Sequence, residues 1–295
     1  MAICWNIRSQ TSQDVHGEYL TLLRKKLQCV QCGQSAGKAG ESRNPQRLHA
    51  KYLNMNRNEA IVIGLLYTDG CLSPKGKNSW RFYFSNKSER LVAIFRESMM
   101  QTFGLPSSRV RLGKTNDGLY RALVDSKEIG TALTQKFGTF RTLRYKNGTV
   151  PKACLPVREL LQHNVAEDFL RAAFSCDGGV SLYTAHNEKS RFLIRGVYLA
   201  CAHSVLREQY CELLRALGIK ARNVARDGKI KIQTKENIQL FYKRVGFLKG
   251  VHITHTSRFW PDIEKQELLK RVIQSYESPR KVYELPQFDT QEVMI

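Results

Sequence analysis

Two apolar stretches of the chain share one layout: NEAIVIGLLYTDG at 58–70 and AEDFLRAAFSCDGG at 166–179. Each opens on acidic residues, Glu59 or Glu167 with Asp168, where the start of a helix favours negative charge. Each then runs apolar at helical spacing and stops at Asp-Gly, so both predict a packed helix. With Asp69 set against Asp177 the offset is 108 residues (177 minus 69), and the pattern beyond repeats at about that interval. A strand over Trp80–Ser85 answers one over Phe192–Tyr198, and a helix over Glu89–Phe103 answers one over Val205–Leu217. Two strand pairs follow, Arg109–Leu112 with Leu119–Val124 and Arg222–Ala225 with Lys229–Gln233. Asn116-Asp117-Gly118 and Asp227-Gly228 supply their turns. A last helix, Lys127–Phe137 or Lys235–Val245, closes each copy. The expected fold is α+β: two pseudo-symmetric αββαββα subdomains, with one early strand weak in each.

Five segments result: an N-terminal extension (1–57), a first subdomain (58–143), a basic linker with prolines (144–165), a second subdomain (166–257), and a C-terminal helix with tail (258–295). The extension contains a short amphipathic stretch, Glu18–Leu27, and a polar loop; the final helix is expected over Pro261–Tyr276. One unit alone leaves its first helix underpacked, whereas two copies bury those helices against each other. The result is a pseudo-dimer in one chain, expected to act as a monomer. Gly64 and Thr68, one turn apart, and the matching Ala172 and Cys176 are small enough for close helix contact, and form the expected domain interface.

Charge narrows the choice of partner. Lys plus Arg total 47 against 26 acidic residues, a net charge of +21, and self-repulsion of that size points to a polyanion. No run approaches the roughly 18 apolar residues that span a bilayer, and the N-terminus does not read as a signal peptide, so nucleic acid is favoured over membrane. The 8 cysteines, scattered through apolar contexts, suit a reducing intracellular compartment. Cys29 and Cys32 have the spacing of half a zinc knuckle, but no second close pair follows; two ordinary thiols is the plainer reading.

The chemistry lies at the two Asp-Gly ends. A carboxylate is uncomfortable at the carbonyl end of a helix, and two such ends side by side add like-charge repulsion. Divalent cations cancel both penalties, and hard Mg²⁺ prefers oxygen ligands. One Asp-Gly after an apolar helix is an ordinary helix stop; two, in matching helices at the head of repeated basic units, predict a metal centre. Here the chain resembles the LAGLIDADG homing endonucleases of the monomeric, two-motif kind, with VIGLLYTDG at 62–70 and LRAAFSCDG at 170–178 as the motifs. The resemblance covers roughly residues 58–255. Tyr67 and Ser175 replace the first Asp of the motif, and Ala172 its Gly; the final acid is kept in both copies.

The resemblance implies two antiparallel sheets forming a saddle on DNA, with Asp69 and Asp177 over the scissile phosphates. It implies a double-strand break with short 3′ overhangs, supported by Mg²⁺ with Mn²⁺ as a substitute. The main-chain carbonyls of Thr68 and Cys176 are implied as further metal ligands. Lys249 in unit two, and Lys146 or Lys152 in unit one, are candidates for the basic residues that organise solvent. Family members are encoded in archaeal, chloroplast and mitochondrial introns, so an archaeal cytoplasm and an organelle both stay open.

Strand alternation gives an independent case for DNA. Trp80, Phe82 and Phe84 fall on one face, and Arg81, Tyr83 and Ser85 on the other. Arg109 and Arg111 alternate with Val110 and Leu112, while Lys229, Lys231 and Gln233 alternate with Ile230 and Ile232. Arg191 and Arg195 share a face, with Phe192 and Ile194 directed inward; Lys114, Arg121, Tyr183 and Arg222 complete the expected contacts. Long donors of this kind reach base edges or phosphates. Any sheet with one wet face looks similar strand by strand; the repeated excess of basic residues is what favours DNA. Two saddles would cover about 20 base pairs at about 3.4 Å of rise each. The competing readings are a non-cutting binder on the same scaffold, such as an intron RNA maturase or a transcription regulator, and an intein-type domain. The latter is disfavoured because residue 1 is not cysteine and no terminal His-Asn pair is present.

Overall fold

The computed structural model describes residues 55–76, 79–186 and 191–277, with backbone only at His186 and Arg191. The extension, Cys29 and Cys32 included, lies outside the described residues. Unit one runs α1 (Arg57–Leu66), β1 (Gly70–Pro74), β2 (Trp80–Asn86), α2 (Glu89–Phe103), β3 (Arg111–Lys114), β4 (Tyr120–Asp125) and α3 (Lys127–Phe137). A short α4 (Val157–Gln162) follows in the linker, where no helix was expected. Unit two runs α5 (Ala166–Asp177), β5 (Gly178–His186), β6 (Arg191–Ala200), α6 (Ser204–Ala216), β7 (Arg222–Val224), β8 (Lys229–Ile232) and α7 (Lys235–Arg244), and α8 (Lys265–Gln274) packs on its sheet. Both units are αββαββα, and their antiparallel sheets have the same strand order, β1-β2-β4-β3 and β5-β6-β8-β7.

Local chemistry sets the boundaries. The side chains of Asn56, Ser88, Ser126 and Thr234 each accept a backbone N–H at the start of their helix. Glu59 is buried with Lys136 Nζ at 2.9 Å, which ties α1 to α3. At Gly70 and Gly178 an added Cβ would lie 2.6 Å from Leu66 Cα and 2.4 Å from Phe174 O. Only glycine lets the chain leave each first helix directly into a strand, so the Asp-Gly pairs mark sharp reversals.

The two first helices form the central contact of the molecule. A Cβ at Gly64 would sit 2.7 Å from Phe169 O and 3.0 Å from Ala172 Cβ, so the backbones of α1 and α5 approach as closely as glycine permits. Val62, Leu65, Leu66, Phe169, Leu170 and Phe174 are buried around that contact. The residues that replace the motif's first Asp are structural. Tyr67 donates to Cys154 O at 2.6 Å, while Ser175 donates to Arg171 O and accepts from Leu248 N at 2.7 Å. Among the described residues no helix is long and apolar enough to cross a membrane.

Candidate metal centre and nucleic-acid groove

Because α1 and α5 run side by side and both turn at Asp-Gly, their acidic ends meet. Asp69, Asp177 and Cys176 each offer a ligand atom, and these atoms lie within 4.8 Å of one another. Asp69 is exposed; its carboxylate accepts from Asn86 Nδ2 at 2.6 Å and from the Cys176 thiol at 3.2 Å. Asp177 is half-buried. Burial first, and the neighbouring Asp69 second, push its carboxyl up to about 7, with Lys265 pulling the other way. Cys176 is likewise held well above the usual thiol range by burial, and then by Asp69 and Asp177. A carboxyl that resists ionisation next to a second carboxylate is a group whose charge a cation would stabilise. The donor set therefore fits a divalent ion.

The basic residue in this centre is Lys265, on α8. It is buried, and Nζ donates to Ser175 O at 2.8 Å and Gly178 O at 2.7 Å, closing the carbonyl end of α5. Burial lowers its ammonium to about 8, opposed by Cys176, Asp177 and Asp69. Lys146, Lys152 and Lys249 are exposed, and the Lys249 carbonyl accepts from Arg90. Lys265 escaped notice because it comes from a helix outside the repeated segments, and the position 108 residues earlier is Val157, which is not basic. Asn86 was missed too: it ends a strand whose preceding residues carried the pattern. Lys265→Met should leave the carbonyls of Ser175 and Gly178 without their donor. We expect a loss of about 1–3 kcal/mol in chemical denaturation, together with weaker metal binding. Unchanged metal affinity would remove Lys265 from the centre.

The interface residues sit as follows. Gly64 meets Ala172, whereas Thr68 turns back on its own helix, donating to Gly64 O and Leu65 O. Cys176 reaches across to Asp69. Tyr210 packs beneath, fully buried and stacked on Phe169.

Each sheet has a face opposite its buried core residues, and a cavity lined by Ser85, Asn86, Tyr183, Lys229 and Lys231 reaches the acid pair. In unit one the register places Arg81, Tyr83, Ser85, Arg111 and Arg121 on that face. Asp125 stands among them: Arg81 pairs with it through two nitrogens at 2.9 and 3.2 Å, and Lys75 and Arg111 reach it at 2.9 and 2.7 Å. Arg81 foremost among these cations holds the Asp125 carboxyl far below the usual range. In unit two Tyr183, Lys229, Lys231 and Arg222 share the groove face with Ser181, Ile194 and Tyr198, and Gln233 continues the line.

Several expectations are corrected. Arg195 pairs with buried Leu182 and lies on the helix side, where it donates to Ser275 Oγ at 2.8 Å and stacks on Tyr276. Phe192 and Ile194, both expected inward, lie on the opposite face: Phe192 is 38% exposed and Ile194 pairs with Tyr183 in the groove, because Leu193, Val197 and Leu199 carry the core phase. The run Phe192-Leu193-Ile194 is apolar at every position, so alternation could not fix its phase. Arg109 falls in a 3₁₀ turn, Ser107–Arg109, instead of a strand. Lys114 pairs with Tyr120 and covers its ring, out of phase with Arg111, and Leu112 is 56% exposed because β3 is an edge strand. The Arg191 side chain lies outside the described residues.

Taken together, the molecule is an α+β protein of two repeated units, joined through paired helices whose acidic tips open on a basic groove. Residues 164–246 match the family model described as LAGLIDADG-like domain. The first half of the chain repeats the architecture of that matched segment element for element. Three solved structures are similar. Mesophilic variants of the homing endonuclease I-DmoI match at 19% identity over 64% of this chain and 90% of that chain, with TM-score 0.43. The homing endonuclease I-WcaI bound to its DNA recognition sequence matches at 15% over 73% and 93%, with TM-score 0.44. A double mutant of I-SmaMI matches at 11% over 78% and 95%, with TM-score 0.46. Among curated proteins, none matches the sequence.

Proposed function

We propose that the protein is a site-specific double-strand DNA endonuclease of the intron-homing type, hydrolysing phosphodiesters with Mg²⁺ (Mn²⁺ substituting) and leaving short 3′ overhangs. The observation that carries this reading is the convergence of Asp69 and Asp177 within one cluster of 4.8 Å, in a cavity also lined by Lys87 and Arg90 of unit one and Lys229 and Lys231 of unit two. Asp69 and Asp177 would hold the ions, with the carbonyls of Thr68 and Cys176 as additional ligands. Bound Mg²⁺ supplies a lowered water pKa and charge stabilisation for the leaving oxygen. The protein's part is positional. Asn86 orients the Asp69 carboxylate, Lys265 adds fixed positive charge beside Asp177, and glycine-tight packing of α1 on α5 sets the spacing of the acids. Arg81, Arg111, Arg121, Arg222, Lys229 and Lys231 would fix the backbone of a duplex of about 20 base pairs and reach its base edges. One chain brings both acids to the junction, which suits action as a monomer in an archaeal cytoplasm or an organelle.

The test is a cleavage selection of purified protein against randomised duplexes in Mg²⁺. Recovery of one preferred site, lost in Asp69→Asn, is expected. Tight binding of intron RNA with no duplex cut at any library sequence would support the maturase reading instead.

A further inference from the structure

The acid pair is joined by a side chain that a purely hard-metal centre does not need. Cys176 Sγ lies 3.2 Å from Asp69 Oδ2, and its thiol, with the two carboxylates, completes a three-donor cluster within 4.8 Å. Donors around a tetrahedral Zn²⁺, at about 2.3 Å for sulfur and about 2.0–2.2 Å for oxygen, are about 3.3–3.8 Å apart. The Cys176 Sγ to Asp69 Oδ2 edge is already close to that spacing, and Asp177 lies within 4.8 Å of both. A thiol adds little for Mg²⁺ but selects softer ions strongly. A second observation points the same way. The hydroxyl of Tyr210, a residue only 2% exposed, has no hydrogen-bond partner, and Tyr210 lines the cavity that Asp69 and Asp177 also line. A buried hydroxyl in that position offers a donor to a ligand's solvent shell.

We infer that Asp69, Cys176 and Asp177 form a thiophilic metal site, which takes Zn²⁺ or Cd²⁺ in place of the hard ion and holds the protein in an inactive state. Binding breaks the S–H bond of Cys176, forms a sulfur–metal bond and releases the proton to solvent, with no change of oxidation state. The site rests on the same acid pair as the proposed nuclease activity, but occupancy by a soft ion is a property of the free protein and needs no cleavage.

The experiment titrates Cd²⁺ alone into metal-free full-length protein and follows the ultraviolet thiolate-to-cadmium charge-transfer band. The same titration is run on Cys176→Ala and Cys176→Ser. The wild type should gain one more thiolate-bound Cd²⁺ than either variant, with affinity at least about 100-fold above that of any Cd²⁺ the variants retain at the acid pair. Asp69→Asn should weaken that ion while leaving the thiol available. Serine keeps a donor to Asp69 but not the soft ligand, so a wild-type response in Cys176→Ser would show that the thiol only positions Asp69. Equal band amplitude and affinity in all three proteins would overturn the inference whether or not any of them cuts DNA. If the reading holds, trace Zn²⁺ should arrest Mg²⁺-supported cleavage and a chelator should restore it.

Discussion

Asp177→Asn is expected to abolish cleavage and yet to stabilise the metal-free protein. The first effect follows from losing a ligand to the reacting ions, an interaction worth several kcal/mol, so a fall of about 10³-fold or more is expected. The second follows from the raised carboxyl. An Asp near 3.9 when unfolded and about 7 when folded binds more protons in the native state between those values. Stability of the wild type must then fall as pH rises from about 4 to 7, and stay low above. Because Asp177 is half-buried, about 2–4 kcal/mol is the appropriate range for the full effect. Asparagine has no charge to desolvate. In chelator, its melting curve at pH 8 should exceed that of the wild type, and the gap should close near pH 4. Adding Mg²⁺ at pH 8 should stabilise the wild type selectively. Parallel pH–stability profiles for the two proteins would show that Asp177 is not strained by its surroundings.

Gly64→Val should be the most damaging single change in the interior. An added Cβ meets a backbone oxygen, Phe169 O, at 2.7 Å, and the branched methyls add to that collision. Neither helix can rotate away without pulling Asp69 from Asp177. Overpacking of this kind costs about 3 kcal/mol, which for a chain of this size is a melting shift of about 5 °C. Because the same contact sets the acid separation, residual folded protein should also bind metal poorly. A stable variant with wild-type metal affinity would show that α1 and α5 tolerate a wider spacing than the structure has. Melting curves and metal titration on the same sample separate the two effects.

These two residues illustrate what the sequence makes legible. Gly64 and Asp177 sit in motifs that appear twice, and repetition lifts a weak pattern above coincidence; the helices Glu89–Phe103 and Lys127–Phe137 were readable to the residue because Ser88 and Ser126 cap them and their apolar faces are periodic. Arg195 was misplaced because its strand is apolar on both faces, one packed under helices and the other turned toward the groove. Lys265 and Asn86 were illegible for a different reason. Their roles exist only through long-range contact, with Ser175 and Gly178 in one case and Asp69 in the other. The clustering of Lys75, Arg81 and Arg111 on Asp125 likewise needs the register of three strands before it becomes visible.

The clasp between Arg195 and the end of α8 bears on how the halves of this molecule can be exchanged. Arg195 grips Ser275 and Tyr276, and the helix so fastened delivers Lys265 to the carbonyl end of α5. A chimera that grafts only the repeated segment onto a foreign first half would inherit an acid and forfeit its counter-ion. The smallest transplantable second half therefore extends through the helix that ends at Gln274 and includes the anchor that follows it.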